Sequence, residues 1–113
     1  MAAVEKENYW DLVFEVTRLI PEGRVSTYGA IADYLALGSA RMVGWALNRV
    51  KASEMVPAHR VVNSKGELSG RAAFHPPSAM QDRLESEGVE VKNDKVVNFK
   101  ALFWHPAQLD TIL

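Results

Sequence analysis

Helix-breaking residues divide the first 50 residues of this chain into three short segments, and this division most constrains the fold. In the first segment, from Glu7 to Ile20, apolar residues recur at three- and four-residue spacing, which predicts an amphipathic helix. Pro21 and Gly23 end that helix, and Gly38 ends the segment that follows. The chain must therefore build its core by packing short helices against one another. The residues predicted to face inward from the first helix are Tyr9, Val13, Val16 and Ile20.

The second and third segments predict a pair of helices joined by a tight turn. One helix is expected over 28–35 and the other over 40–50, with Gly38 in the turn between them. Two short helices joined in this way are typical of a helix-turn-helix, here over about 26–50, whose second helix presents its N-terminal end to DNA. The pattern alone does not separate such a pair from helix pairs in other all-α domains. The residues predicted to face inward are Ile31, Tyr34, Leu35, Val43, Ala46, Leu47 and Val50.

Hydroxyl side chains stand where three of the predicted helices begin. Ser26 or Thr27 precedes the second helix, Ser39 precedes the third, and Ser78 precedes a later one. A serine or threonine at this position accepts a hydrogen bond from an early backbone N–H of the helix. These residues are therefore predicted as N-caps.

The second half of the chain predicts a small β element and one more helix. Residues 56–62 indicate a loop that enters a short strand, and residues 63–66 have the composition of a turn. Glycine and proline make 68–77 irregular, whereas 78–87 is expected to be helical. A hairpin follows over 89–97. The predicted class is mainly α with a small β element.

Composition excludes several classes of function. A chain of 113 residues with 48% hydrophobic residues suits one compact domain, taken here as residues 1–113. No apolar run approaches the ~20 residues of a membrane helix, and the first residues show no secretory pattern. We therefore expect a protein of the cytoplasm and bacterial nucleoid, or of the nucleus in a eukaryote, that is neither secreted nor bound to a membrane. The chain has no cysteine and only three scattered histidines, so no disulfide, thiol chemistry or metal site is expected.

Charge is unevenly distributed along the chain. The net charge is -1, which argues against a generic coat for nucleic acid. Residues 41–71, however, hold six basic and two acidic residues, a local excess of +4. Such an excess is what a small DNA-binding surface needs, although a chance cluster on a solvated face explains it equally well. The six basic residues are Arg41, Arg49, Lys51, Arg60, Lys65 and Arg71.

The stretch from Pro57 to Val62, Pro-Ala-His-Arg-Val-Val, resembles the Pro-Cys-His-Arg-Val motif of O6-alkylguanine-DNA alkyltransferases. Upstream, residues 23–28 and 40–44 resemble the two helices of that family's helix-turn-helix. Downstream, residues 84–89 resemble the end of a late helix. The similarity runs in the expected order over roughly residues 8–105. The family's N-terminal domain has no counterpart here. Since the motif cysteine is replaced, the chain resembles the alkyltransferase-like proteins.

This resemblance implies a fold, a function and partners. The expected fold is a winged helix-turn-helix domain, with a lesion-pocket loop over 56–71. The expected function is non-enzymatic: the protein would bind and flip O6-alkylguanine in double-stranded DNA and direct the damage to nucleotide excision repair proteins. The recognition helix would enter the minor groove, where sequence is read poorly. A monomer that needs no cofactor is expected.

Ala58 stands where the catalytic cysteine of the family belongs. Alkyl transfer requires a thiolate nucleophile, and a methyl side chain has neither a lone pair nor an ionisable proton. Since the chain has no other cysteine, none can substitute. The resemblance implies that Ala58 lines the lesion pocket together with Pro57, Ser69 and Gly70; the simpler alternative is a small loop residue.

Three further residues correspond to charged or titratable groups of the family's pocket. His59 and Glu87 match the histidine and glutamate that activate the cysteine. Without a cysteine, we interpret them as a structural remnant, a hydrogen-bonded pair that holds the pocket loop. Arg71 matches a loop arginine placed near the flipped base, where it would form a cation–π contact or pair with phosphate. An ordinary exposed loop arginine is the alternative.

Three residues of the helix pair, Arg41, Tyr28 and Met42, correspond to positions that handle DNA in the family. Arg41 matches the arginine finger that replaces the flipped base in the stack, and Tyr28 matches the tyrosine that crowds the phosphate 3′ to it. An exposed helix arginine and a core tyrosine are the alternatives. Met42 is expected in the minor groove. Trp45 replaces a residue that is usually small in the family, and we expect it to pack against the protein.

Other functions remain open at this stage. Residual methyltransferase activity is supported only by the family similarity, and it predicts covalent labelling of the protein. A helix-turn-helix transcription factor without a lesion pocket predicts preference for a fixed operator. A purely structural domain predicts no DNA binding even at low salt.

Overall fold

The computed structural model describes residues 6–112, which form five α-helices and two small β-sheets. The predicted class, mainly α with a small β element, is confirmed. The helices are α1 Lys6–Arg18, α2 Tyr28–Tyr34, α3 Ala40–Leu47, α4 Ala79–Ser86 and α5 Phe99–Leu102. The strands are β1 Ser26–Thr27, β2 Val61–Val62, β3 Val91–Lys92 and β4 Lys95–Val96. Short 3₁₀ turns lie at Ala52–Glu54, Ala58–Arg60, Arg71–Ala73 and Pro106–Ile112.

The apolar stripe of α1 packs into the first of two cores. The four residues predicted to face inward have at most 6% of their surface exposed. The helix ends at Arg18, two residues before the predicted end, and backbone hydrogen bonds from Leu19 and Ile20 close its last turn. The residues of α2 and α3 that complete this core include Ile31, Val43 and Ala46.

Side-chain caps fix where α2 and α3 begin. The Thr27 hydroxyl accepts a hydrogen bond from the Ala30 N–H at 3.0 Å, and the Ser39 hydroxyl accepts one from the Arg41 N–H at 3.1 Å. Both predicted caps are therefore confirmed. The prediction that Tyr34 faces inward is wrong, since 37% of its surface is exposed. It is the last residue of α2, and Leu35 beyond it packs against the core instead.

A two-residue parallel sheet ties the start of α2 to the Pro-Ala-His-Arg loop. Ser26 pairs with Val61 and Thr27 with Val62. Strand β1 was not predicted from the sequence, where Ser26 and Thr27 were interpreted only as caps. Because of this pairing, Tyr28 follows a strand that is anchored directly beside the motif loop.

The second core lies under α4 and the predicted hairpin. Strands β3 and β4 are antiparallel, and both turn residues, Asn93 and Asp94, have positive φ of 53° and 59°, as a type I′ turn requires. Helix α4 buries Met80 and Leu84 against this core. Ser78 precedes α4 but accepts no capping hydrogen bond, because its own backbone is already helical (φ −63°, ψ −15°); that cap prediction is wrong. Among residues 6–112 no helix has the length and apolar character needed to span a bilayer.

Candidate nucleic-acid interface

A groove of about 460 Å³ lies where the start of α2, the exposed face of α3 and a loop after β2 meet. It brings together four of the predicted site residues from three separate parts of the chain: Tyr28, Arg41, Ser69 and Gly70. The remaining lining residues are Ala40, Gly44, Trp45 and Asn48. Asn48 was missed from the sequence, although its position seven residues after Arg41 places it on the same face of α3.

Tyr28 forms one wall of the groove and is held there by burial and by the loop opposite. Burial raises the pKa of the Tyr28 hydroxyl above its ordinary value near 10, partly opposed by a hydrogen bond with Ser69. Gly70 faces the same hydroxyl, since a Cβ atom at Gly70 would lie only 2.5 Å from the Tyr28 oxygen. The loop reaches Tyr28 so closely only because residue 70 has no side chain.

Arg41 is exposed at the N-terminal end of α3. Its backbone N–H is bonded to the Ser39 hydroxyl, and its guanidinium forms no salt bridge with any part of the chain that the structure describes. An unpaired guanidinium offers several donors that match a base edge or a phosphate. The side chain is therefore available for an anionic or hydrogen-bonding ligand in the groove.

His59, Arg60 and Glu87 form a hydrogen-bonded network between the motif loop and the end of α4. His59 Nε2 lies 2.9 Å from Glu87 Oε2. Arg60 donates to the same carboxylate from Nε at 2.9 Å and from Nη2 at 2.6 Å. Its Nη1 donates to the Ile20 carbonyl at 2.8 Å. Arg60 was missed in the sequence analysis, although its place directly after His59 in the motif was a signal.

The charges of this network are set by burial and by the hydrogen bonds. Burial acts to raise the pKa of Glu87, but hydrogen bonds from Arg60 and His59 outweigh it and lower that pKa to about 2. Burial lowers the pKa of His59, and the carboxylate of Glu87 opposes this only in part. At neutral pH the network therefore consists of a carboxylate, a guanidinium and a neutral imidazole, which donates from Nε2 to Glu87.

Ala58 lies at the start of the 3₁₀ turn Ala58–Arg60 and is half-buried. Pro57 before it has φ −79° and ψ 64°, and the Ala58 N–H bonds to the Val56 carbonyl at 2.8 Å, an inverse γ-turn. Neither Pro57 nor Ala58 lines the groove that Tyr28 and Arg41 share. The placement of Pro57 and Ala58 in a lesion pocket therefore stays a prediction.

Met42, Arg71 and Trp45 lie in different surroundings. Met42 is half-buried against the first core, and its carbonyl accepts a hydrogen bond from the Tyr9 hydroxyl at 2.9 Å. Arg71 lies outside the groove; it donates to the Leu68 carbonyl at 3.0 Å, with Asp94 3.7 Å from its Nε. The expectation that Trp45 packs against the protein is wrong, because 53% of its surface is exposed.

The basic excess of residues 41–71 does not form one surface. Arg60 points inward to Glu87, and Arg49 lies over the ring of Trp10 at 5.5 Å. A larger concavity, of about 810 Å³, lies along the hairpin and α5. Four lysines line it, yet it contains none of the predicted site residues. We therefore place the candidate site at the smaller groove, where the predicted residues converge.

The helix pair α2–α3, followed by the β3–β4 hairpin, defines a winged helix-turn-helix domain with a groove beside its second helix. Residues 8–89 match the family described as "6-O-methylguanine DNA methyltransferase, DNA binding domain". The chain belongs to this family and, within it, to the alkyltransferase-like proteins.

Two relatives and one solved structure illustrate the similarity. The chain is 37% identical over 105 residues to Alkyltransferase-like protein 1 of Schizosaccharomyces pombe. The aligned region covers 88% of this chain and 97% of the S. pombe protein. It is 36% identical over 95 residues to the DNA base-flipping protein of Vibrio parahaemolyticus, covering 83% and 93%. The crystal structure of S. pombe Atl1 in complex with damaged DNA containing O6-carboxymethylguanine superimposes with a TM-score of 0.81 at 35% identity, covering 94% of this chain and 100% of that chain. The predicted fold is thus confirmed.

Proposed function

We propose that this protein is a non-enzymatic sensor of DNA alkylation, which binds O6-alkylguanine in duplex DNA and flips it out of the stack. One observation carries the proposal: a chain without any cysteine brings Tyr28 and Arg41 together at one groove beside the recognition helix, and Arg41 has no salt-bridge partner among residues 6–112. Two relatives whose names refer to base flipping or to alkyltransferases, and a related complex with damaged DNA, support it.

Flipping requires a group that takes the place of the extruded base. Arg41 is suited to this role, because its guanidinium can stack between bases and donate to the base left without a partner. Tyr28, the first residue of α2, has its hydroxyl against Gly70 and would press on the neighbouring phosphate and favour rotation of the nucleotide. Extruding a base costs a few kcal/mol, and less for a mispaired, alkylated guanine. The lower cost gives a first level of selectivity for damage.

The network of His59, Arg60 and Glu87 has a structural role in this proposal. In an active alkyltransferase the corresponding histidine and glutamate activate the cysteine as a thiolate, whereas the methyl side chain of Ala58 has no proton to lose. Here the Glu87 carboxylate accepts two hydrogen bonds from Arg60 and one from His59. The network therefore fastens the motif loop to α4.

The remaining predicted contacts complete the interface. Pro57, Ala58, Ser69, Gly70 and Arg71 would surround the flipped base, and Met42 would lie in the minor groove. Minor-groove contacts distinguish sequences poorly, so affinity would depend on phosphates and on the lesion. The protein would act as a monomer in the compartment that holds DNA, and it would hand the damage to nucleotide excision repair proteins.

The test is a gel-shift comparison of one duplex that carries guanine, O6-methylguanine or a bulkier O6-alkylguanine at a single position. We expect both alkylated duplexes to bind more tightly than the guanine duplex, at a salt concentration held constant. Equal affinity for all three, or preference for a particular unmodified sequence, would refute a lesion sensor and favour a transcription factor.

A further inference from the structure

Trp45 lines several neighbouring concavities on the exposed side of α3, two of which matter here. One is the groove with Tyr28 and Arg41; the other is a smaller concavity of about 260 Å³. Tyr9, Trp10, Trp45 and Arg49 line the smaller one. Tyr9 is only 3% exposed and belongs to the first core, and Trp10 is half-buried against that core, so Trp45 supplies the exposed aromatic face. Among the residues that the structure describes, no carboxylate lines it.

The aromatic rings and the guanidinium are already arranged around this smaller concavity. The rings of Tyr9 and Trp10 meet edge to face, with centroids 6.4 Å apart. The Arg49 guanidinium carbon lies over the Trp10 ring, 5.5 Å from its centroid, as in a cation–π contact. Trp45 lies four residues after Arg41 and therefore on the same face of α3.

Packing does not account for the position of Trp45. Its side chain is 53% exposed and is not among the residues packed on the first core, whereas the neighbouring Leu47 is. Large exposed aromatic side chains near a cation are enriched where proteins bind partners.

We infer that the concavity of Tyr9, Trp10, Trp45 and Arg49 is a second nucleobase-binding site, which takes an unstacked base without reading its identity. Aromatic faces stack on every base, and an arginine beside them can stack on the base or pair with its phosphate. Trp45 lines both this site and the groove proposed for the lesion, so the two are continuous. Arg41 lines the groove and Arg49 lines the second site. This continuity favours nucleic acid over a protein partner. The inference rests on the proposed function in that α3 must lie against DNA.

The experiment uses a duplex with a single bulged adenine and no alkyl group, and a fully paired duplex that is otherwise identical. We expect the protein to prefer the bulged duplex by roughly 5- to 150-fold, the range of one base–aromatic stack, with quenching of tryptophan fluorescence. Trp45→Ala should abolish the preference and most of the quenching, whereas Trp45→Phe should keep part of the preference. Leu19→Ala, which removes another side chain that is 50% exposed, is the matched control and should change neither.

Measuring the ratio of affinities for O6-methylguanine and guanine duplexes in parallel separates this inference from the proposed function. Loss of the bulge preference in Trp45→Ala with the lesion ratio retained supports a second site. The inference is wrong if Trp45→Ala keeps the preference for the bulged duplex. It is also wrong if the variant loses this preference together with the preference for O6-methylguanine over guanine, because the indole is then not part of a separate site. A Trp45-dependent bulge preference in a protein with no lesion preference would support the second site and refute the lesion sensor.

Discussion

Replacing Glu87 by glutamine removes a charge from the buried network and should destabilise the fold by about 3 kcal/mol. A carboxyl whose pKa falls from 4.5 to about 2 on folding stabilises the native state by this amount at neutral pH. Glutamine keeps the shape and part of the hydrogen bonding, but it leaves the Arg60 guanidinium, only 14% exposed, without its counter-charge. For a domain of this size the loss corresponds to a melting temperature lower by roughly 10 °C or more.

Urea denaturation from pH 7 to pH 2 tests this reasoning, with Glu85→Gln as control. Glu85 lies in α4, two residues before Glu87; it is exposed, and its carboxylate accepts a hydrogen bond from Gln81 Nε2 at 3.2 Å. Because the native pKa of Glu87 is lowered, its contribution is complete above about pH 5 and is lost as pH falls towards 2. The difference between wild type and Glu87→Gln should therefore shrink over that range. A Glu87→Gln cost below about 1 kcal/mol at pH 7, or a difference that does not depend on pH, would show that the carboxylate does not hold the loop.

Two substitutions test the groove, and a third tests the predicted role of Ala58 in the lesion pocket. Arg41→Ala should weaken binding of O6-methylguanine duplex by about 1–3 kcal/mol and that of undamaged duplex by less; equal losses in a binding titration would make Arg41 a phosphate contact only. Gly70→Ala, with its Cβ 2.5 Å from the Tyr28 hydroxyl, should displace Tyr28 and reduce lesion affinity about tenfold at a stability cost of about 1 kcal/mol. Gly38→Ala, where nothing lies within 4 Å, is its control, and unchanged lesion affinity in Gly70→Ala would exclude a role for the Tyr28 position. Ala58→Trp should discriminate against bulky O6-alkyl groups, since each buried CH₂ contributes roughly 0.8 kcal/mol; an unchanged order of affinities would remove Ala58 from the pocket.

The helices could be predicted because their signals are local. Three-and-four spacing and a hydroxyl cap are both contained within a few residues, and α1, α2 and α3 begin where the sequence indicates. The parallel pairing of β1 with β2 could not be predicted in this way. Each strand has only two residues, and its partner lies more than 30 positions away, so the pairing depends on tertiary structure.

The candidate site was predicted only where the family motif covers it. The resemblance assigned Tyr28 and Arg41 to base flipping and Ser69 and Gly70 to the lesion pocket, and the fold brings these four residues to one groove. It did not reveal that Arg60 turns inward, because a basic residue in a loop is usually solvated; only the position of Glu87 in three dimensions decides this. Trp45 was expected to pack against the protein, because a large aromatic residue on a helix is usually well buried, but 53% of its surface is exposed.

The proposed sensor captures alkylated guanine without accepting its alkyl group. The most direct measurement is the intact mass of the protein after long incubation with an excess of O6-methylguanine duplex, at concentrations where the complex is saturated, together with analysis of the recovered DNA. We predict an unchanged protein mass and quantitative recovery of O6-methylguanine. A protein heavier by one methyl group, with a matching loss of the lesion from the DNA, would contradict the account.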